Sequence, residues 1–179
     1  MRRVPAEIRK KAQKIKLLLL DVDGVLTDGG IVVDNRGEEV KRFDVRDGHG
    51  IRLLMRAGIQ VGLITGRSSK VVSHRAKDLG IRMVYQKVYN KVECYEKIKK
   101  KTGLKDQEIA YVGDDIVDLP ILRKVGLAMT VKDCWRELKR VVDYVTAGGG
   151  GRGAVREVVE LLLRAQGKWG EVTQGYYRN

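Results

Sequence analysis

The 179-residue sequence predicts an α/β fold, a three-layer Rossmann-like parallel sheet with helices on both faces, a small β-hairpin insertion and no cap domain. Three observations predict it. Strand-like apolar runs alternate with stretches of helical periodicity. Three of the helical stretches close on a glycine. Carboxylates, hydroxyls and glycines follow directly after the hydrophobic strands, where open α/β sheets bind their ligands.

In chain order, the first strand is Leu17–Leu20, an apolar run ending abruptly in Asp21-Val-Asp23-Gly24. Ile31–Val33 and Val40–Phe43 flank the turn-forming Asp34-Asn35-Arg36-Gly37 and read as a hairpin over about residues 30–44. There follow helix Gly48 to Ala57, strand Val61–Thr65, helix Ser69 to Leu79 and strand Met83–Tyr85. Next come helix Lys91 to Lys101, strand Ile109–Gly113, helix Leu119 to Val125 and strand Leu127–Val131. Helix Trp135 to Val141, strand Tyr144–Thr146 and helix Ala154 to Ala165 complete the series. Gly58, Gly80 and Gly103 are the closing glycines. Strands joined through single helices imply right-handed βαβ units. Residues 1–166 read as one domain, Gly148 to Gly153 as a flexible joint before the last helix, and residues 167–179 as a polar tail of the kind usually disordered.

Composition narrows the function. With 36 Lys+Arg against 23 Asp+Glu, a net charge of +13 favours anionic partners, phosphorylated small molecules among them. The basic residues are dispersed, and Lys97 to Lys101 reads as a solvated helix face, so charge alone supports no nucleic-acid reader. No apolar run approaches the roughly 20 residues of a membrane span, and no signal-peptide core is evident, so a soluble, cytoplasmic protein is expected. Cys94 and Cys134 are far apart, and His49 and His74 are the only histidines, so a bound metal would rely on oxygen ligands.

Four strand tips carry polar signatures: Asp21-Val-Asp23-Gly24, Thr65-Gly66-Arg67, a turn ending at Lys91, and Gly113-Asp114-Asp115-Ile116-Val117-Asp118. Each alone has an ordinary explanation as a cap, a surface lysine or an acidic turn. Together, each directly after a strand, they point to one site. Asp21 and Asp23, two apart in extended chain, share a face, which suits a metal, a nucleophile or both.

This combination resembles the haloacid dehalogenase (HAD) superfamily of phosphohydrolases. The resemblance implies Asp21 as nucleophile and Asp23 as general acid/base. It implies Thr65 and Lys91 as holders of the transferred phosphoryl group, and Mg²⁺ on Asp21, Asp114 and the main-chain carbonyl of Asp23. Lys87 competes with Lys91, since these proteins commonly carry glycine four residues before the catalytic lysine. Asp115 and Asp118 compete with Asp114 for the metal, with Asp118 expected to hydrogen-bond nearby ligands or loop amides.

Longer segments, including Phe43-Asp-Val-Arg46-Asp-Gly48-His-Gly-Ile-Arg52, Tyr111-Val-Gly-Asp-Asp-Ile-Val-Asp-Leu-Pro120 and Gly148-Gly-Gly-Gly-Arg-Gly-Ala-Val-Arg-Glu157, are similar to the 3-deoxy-D-manno-octulosonate 8-phosphate (KDO 8-phosphate) phosphatases. That family implies hydrolysis of a sugar-acid phosphate through an aspartyl-phosphate, in lipopolysaccharide biosynthesis. It also implies a homotetramer in which a neighbour's hairpin and tail help close the site. The substrate contacts it implies are Asp23, Asp44, Val45, Arg46, Asp47, Gly48, Arg52, Arg67, Arg75 and Lys91, and guanidinium forks suit a substrate bearing both carboxylate and phosphate. Two alternatives stand beside this reading: a phosphatase for a nine-carbon sialic-type acid 9-phosphate, and a basic nucleic-acid-binding protein on the same scaffold.

Overall fold

The computed structural model describes residues 4–177; Met1–Arg3, and Arg178 and Asn179 of the expected tail, lie outside the described residues. The elements run α1 (Ala6–Ala12), β1 (Leu17–Leu20), β2 (Val32–Val33), β3 (Glu39–Val40), α2 (Val45–Arg56), β4 (Gln60–Ile64), α3 (Lys70–Leu79) and β5 (Met83–Tyr85). They continue with α4 (Lys91–Thr102), β6 (Ile109–Gly113), α5 (Leu119–Leu122), β7 (Leu127–Thr130), β8 (Tyr144–Val145), α6 (Ala154–Ala165) and α7 (Trp169–Thr173). Six strands form one parallel sheet in the order β5-β4-β1-β6-β7-β8, and β2 and β3 form a separate antiparallel hairpin.

β1 is central, paired with β4 on one side and β6 on the other, and all four of its leucines are buried. Leu18 and Leu20 join the core layer beneath α2, α3 and α6, whereas Leu17 and Leu19 join the layer beneath α4 and α5. Covered on both faces, the strand reads as continuous leucine, and each such side chain stabilises the fold by roughly 1.5–3 kcal/mol on burial. Three of the helices, α2, α3 and α4, begin at polar side-chain caps. Asp44 accepts from Arg46 N at 2.7 Å, Ser69 from Val72 N at 3.4 Å and Asn90 from Glu93 N at 3.1 Å. Gly80 and Gly103 end α3 and α4 in the left-handed region, as their placement predicts.

Several expectations shift. With Asp44 as its cap, α2 starts at Val45, so Arg46 lies in a first helical turn and not in a loop. Trp135 to Val141, expected as α-helix, is a 3-10 turn over Arg136–Arg140. α1 was not expected; Gln166 Nε2 holds its end by donating to Ala12 O at 3.0 Å and Ile15 O at 2.8 Å. Much of the tail is ordered rather than loose. The guanidinium groups of Arg156 and Arg164 lie 5.3 and 4.6 Å from the centroid of the Trp169 ring, and Tyr176 Oη meets His49 Nε2 at 3.0 Å.

The expected joint at Gly148 to Gly153 is a packed support. A Cβ on Gly150 would lie 1.9 Å from the Gly24 carbonyl oxygen, so only glycine allows this approach. Gly151 N donates to Val25 O at 3.0 Å and Gly150 N to Asp133 Oδ1 at 2.9 Å, fixing the segment beneath the chain that follows β1.

Candidate active site

The carboxyl ends of β1, β4 and β6 and the start of α4 converge on a cavity of about 370 Å³ lined by Asp21, Asp23, Thr65, Arg67, Lys91 and Asp114 among others. Asp21 directly follows β1, and its Oδ1 accepts from Val22 N at 2.7 Å. The chain then turns at Gly24, whose φ of 85° leaves space where a Cβ would lie 2.0 Å from Asp114 Oδ2. Thr27 ties the turn, donating from Oγ1 to Val22 O at 3.4 Å and accepting from Gly24 N and Gly29 N at 3.3 Å. Thr65, at the tip of β4, is buried, and its Oγ1 accepts from Arg67 N at 3.3 Å.

Lys91 opens α4 with a side chain only 5% exposed, its Nζ 2.8 Å from Asp21 Oδ2 and 2.6 Å from Asp118 Oδ1. Asp118 is fully buried. Its Oδ1 also accepts from Tyr111 Oη at 2.5 Å, while Oδ2 accepts from Asp114 N at 3.0 Å and Asp115 N at 3.2 Å. Asp118 therefore binds loop amides and the lysine, the part anticipated for it. Asp115 instead caps the 3-10 turn Ile116–Asp118, accepting from Ile116 N at 2.7 Å.

Lys87 is exposed and stands apart from these aspartates; it is the one non-glycine residue with positive φ among the described residues, at 57°. The turn keeps the shape a glycine would favour at this position, and Lys91 alone of the two reaches Asp21.

Oxygen atoms of Asp21, Asp114 and Asp118 lie within 4.8 Å of one another. Burial, then the Asp118 charge, pushes the Asp21 carboxyl up to about 6 against the pull of Lys91. Burial, then Asp21 and Asp118, pushes Asp114 up to about 8. Burial opposes the Lys91 charge, but Asp21 and Asp118 outweigh it and hold the ammonium above its ordinary value. Asp114 Oδ1 is buried and has no hydrogen-bond partner among the described residues. An orphaned carboxylate oxygen beside a second buried carboxylate fits a hard divalent cation, which prefers oxygen ligands.

Asp23, Arg67 and Lys91 are the expected substrate contacts that this cavity gathers. The others lie elsewhere in the single chain. Arg52 Nη2 donates to Asp78 O at 2.6 Å, Arg75 Nη1 pairs with Asp78 Oδ2 at 2.8 Å, and the Arg75 guanidinium sits 5.6 Å from the centre of the Phe43 ring, with Gly48 beneath it. Asp44, Val45 and Arg46 border a second hollow with Arg42 and Arg152. Asp47 departs most from expectation. Its buried carboxylate accepts from Gly153 N and Arg156 N, because α6 starts at a glycine and has no side-chain cap of its own.

Four residues at the site were not expected: Thr27, Tyr111, and Glu39 and Lys41 of the hairpin. Lys41 donates to Asp23 Oδ1, and Glu39 accepts from Arg67 Nη2 at 2.6 Å. The available signal was Glu39 and Lys41 two residues apart, hence on one face of an extended strand.

A family model described as haloacid dehalogenase-like hydrolase matches residues 39–126, which hold Thr65, Lys91 and Asp114. The 3-deoxy-D-manno-octulosonate 8-phosphate phosphatase KdsC of Escherichia coli (strain K12) is 49% identical over 168 residues, 94% of this chain and 89% of the relative. The crystal structure of the Yersinia pestis 3-deoxy-D-manno-octulosonate 8-phosphate phosphatase has a TM-score of 0.91 at 44% identity, covering 92% of this chain and 89% of that one. The Moraxella catarrhalis enzyme, solved in complex with magnesium ion, phosphate ion and KDO, has a TM-score of 0.93 at 42% identity, covering 95% of this chain and 98% of that one. With such identity through nearly the whole chain, and the fold in agreement, this protein belongs to the KDO 8-phosphate phosphatase family of HAD-like hydrolases.

Proposed function

We propose that the chain is a Mg²⁺-dependent phosphomonoesterase that hydrolyses KDO 8-phosphate to KDO and phosphate, serving lipopolysaccharide biosynthesis in the cytoplasm. The observation that carries the reading is the buried Asp21–Lys91 pair beside the unpartnered Asp114 Oδ1. Asp21 attacks phosphorus, forming an aspartyl-phosphate as the ester P–O bond breaks, and Asp23 gives a proton to the leaving alkoxide. Asp23 then takes a proton from the water that attacks phosphorus and frees Asp21. Thr65 and Lys91 hold the phosphoryl oxygens throughout. Asp21, Asp114 and the main-chain carbonyl of Asp23 would hold Mg²⁺, which when bound offsets the charge of an anionic nucleophile meeting an anionic ester.

The eight-carbon acid is favoured over a nine-carbon one because relatives 44–49% identical carry that activity in their names. The intact aspartate–lysine site argues against a nucleic-acid-binding role, and among the described residues no helix is long and apolar enough to cross a membrane.

The working unit is a homotetramer, with residues 1–166 as its catalytic domain and the tail from 167 reaching a neighbour. Ile31, Val32, Val33 and Val40 of the hairpin are each 58–59% exposed, which supports burial against another subunit. Asp44, Val45, Arg46, Gly48, Arg52 and Arg75 then contact the substrate held in a neighbour's cavity, while Asp47 stays buried as the cap of α6.

The test is phosphate release from KDO 8-phosphate and from a nine-carbon acid 9-phosphate, with Mg²⁺ and after chelation. The expected result is activity only with metal and a kcat/KM at least roughly tenfold higher on the eight-carbon substrate, within reach of one discriminating contact. A reversed preference would transfer the assignment to the nine-carbon acid.

A further inference from the structure

Lys41 stands just past β3, in a hairpin whose apolar side chains face solvent, yet its own side chain is only 1% exposed. Its ammonium donates to Asp23 Oδ1 and lies 3.1 Å from Glu39 Oε1. Glu39 accepts from Arg67 Nη2 at 2.6 Å, and Arg67 Nε comes back to within 3.8 Å of Asp23 Oδ2. Four charges of alternating sign therefore close a ring between the hairpin, the turn after β1 and the turn after β4. An ammonium withdrawn from water is costly unless its partners are near and fixed, and a lysine with only a surface role would leave its charge in solvent. Glu39 shares the Lys41 charge, so Asp23 does not face an undivided cation.

We propose that Lys41 is a positioning residue for Asp23: it holds Oδ1 and so leaves Oδ2 as the oxygen that carries the catalytic proton. This rests on the acid/base reading of Asp23 given above. Oδ2 meets Arg67 only at 3.8 Å, beyond hydrogen-bonding distance, and stays available. In the first step the O–H bond at Oδ2 breaks and its proton passes to the alkoxide oxygen released from phosphorus. In the second, water gives a proton to Oδ2 as its oxygen bonds to phosphorus and the bond from phosphorus to Asp21 breaks. The hairpin, too small to cover the cavity, thus acts from the side by fixing the acid.

The test compares Lys41→Met, Lys41→Gln, Lys41→Arg and Asp23→Asn with the wild type on KDO 8-phosphate and on p-nitrophenyl phosphate, with rapid mixing to resolve the first turnover. For Lys41→Met and Lys41→Gln, kcat on the sugar phosphate should fall by roughly 10–100-fold with KM nearly unchanged, part of the 10²–10⁴ that general acid–base catalysis supplies. Nitrophenolate leaves without needing a proton, so these variants should show a burst of about one equivalent per subunit followed by slow turnover. The burst also counts intact sites. Lys41→Arg should recover most of the turnover. Unchanged kcat, a rise in KM alone, or equal loss of burst and turnover in both variants would overturn the inference. If Asp23→Asn kept full activity, the acid/base reading and the inference would fall together; if it lost activity while both Lys41 variants kept theirs, the inference alone would fall.

Discussion

Asp47 and Arg156 stand 109 residues apart in sequence, and the carboxylate of the first accepts a hydrogen bond from the amide of the second at 2.7 Å. The carboxylate also accepts from Gly153 N at 3.2 Å, so α2 supplies the cap that the amino end of α6 lacks. Asp47→Ala leaves both amides without this acceptor and should destabilise the fold by about 1–3 kcal/mol. Urea unfolding checks it: the midpoint should fall while the slope stays constant, and an unchanged midpoint would refute the cap.

Gly150→Ala brings a methyl group to 1.9 Å from the Gly24 carbonyl oxygen. Backbone faces backbone there, so the strain cannot be absorbed by one flexible side chain. A loss of about 1–3 kcal/mol is expected from the overpacking. Displacing the Asp21–Asp23 segment by about 1 Å should also cut kcat by up to roughly 100-fold. Thermal melting and steady-state kinetics on the same preparation measure both.

Lys87 occupies the left-handed region at φ 57° with an exposed side chain. Lys87→Gly removes a backbone strain of about 1–2 kcal/mol and adds some unfolded-state entropy, for a net gain of up to about 1 kcal/mol. Activity should stay near the wild-type level, because Lys91 is the lysine paired with Asp21. A large loss of turnover would show that Lys87 takes part in the chemistry.

His49 meets Tyr176 Oη through Nε2 at 3.0 Å and Arg156 Nη1 through Nδ1 at 3.4 Å, a network that suits the neutral ring protonated at Nε2. Burial first, then the charges of Arg156, Arg56 and Arg52, hold its pKa below the ordinary 6.5. A depressed folded-state pKa means the contribution to stability is present above the unfolded value and is lost as pH falls through the folded one. Proton NMR should give a midpoint under 6.5 for the resonance that disappears in His49→Gln, and a midpoint above it would contradict the network.

Mg²⁺ should raise the melting temperature by binding the folded state, with stabilisation of about 2.7 kcal/mol when the ion is at 100 times its dissociation constant. Asp114→Ala, which deletes the unpartnered oxygen, should lose that response. A full response in the variant would place the ion elsewhere.

The chemistry-bearing strand ends were legible because Asp21, Thr65 and Asp114 each interrupt or follow an apolar run, and burial in a parallel sheet writes that contrast into the chain. Lys91 against Lys87 was not decidable from spacing, since which lysine turns inward depends on a turn conformation that a non-glycine residue seldom adopts. α1 has no side-chain cap and is held by Gln166 from far along the sequence, so local signals were weak. Gly148 to Gly153 misled for a different reason. Consecutive glycines look alike whether they serve freedom of motion or close approach, and only the Gly24 carbonyl opposite Gly150 separates the two. Lys41 and Glu39 looked like hairpin surface because their partners come from two other turns.

The support that Gly150 and Gly151 provide beneath the Asp21 segment also sets an order of events during synthesis. Asp21 leaves the ribosome well before the backbone it rests on, which is made more than a hundred residues later, with Gly151 N donating to Val25 O at 3.0 Å only in the finished chain. Domains fold as units while translation proceeds at roughly 5–20 residues per second, so the nascent protein carries the Asp21 carboxylate for several seconds before that carboxylate has a floor. The finished arrangement therefore arrives only with Gly150 and Gly151, and a chain cut short before them would hold Asp21, Thr65, Lys91 and Asp114 without the backbone on which the Asp21 segment rests.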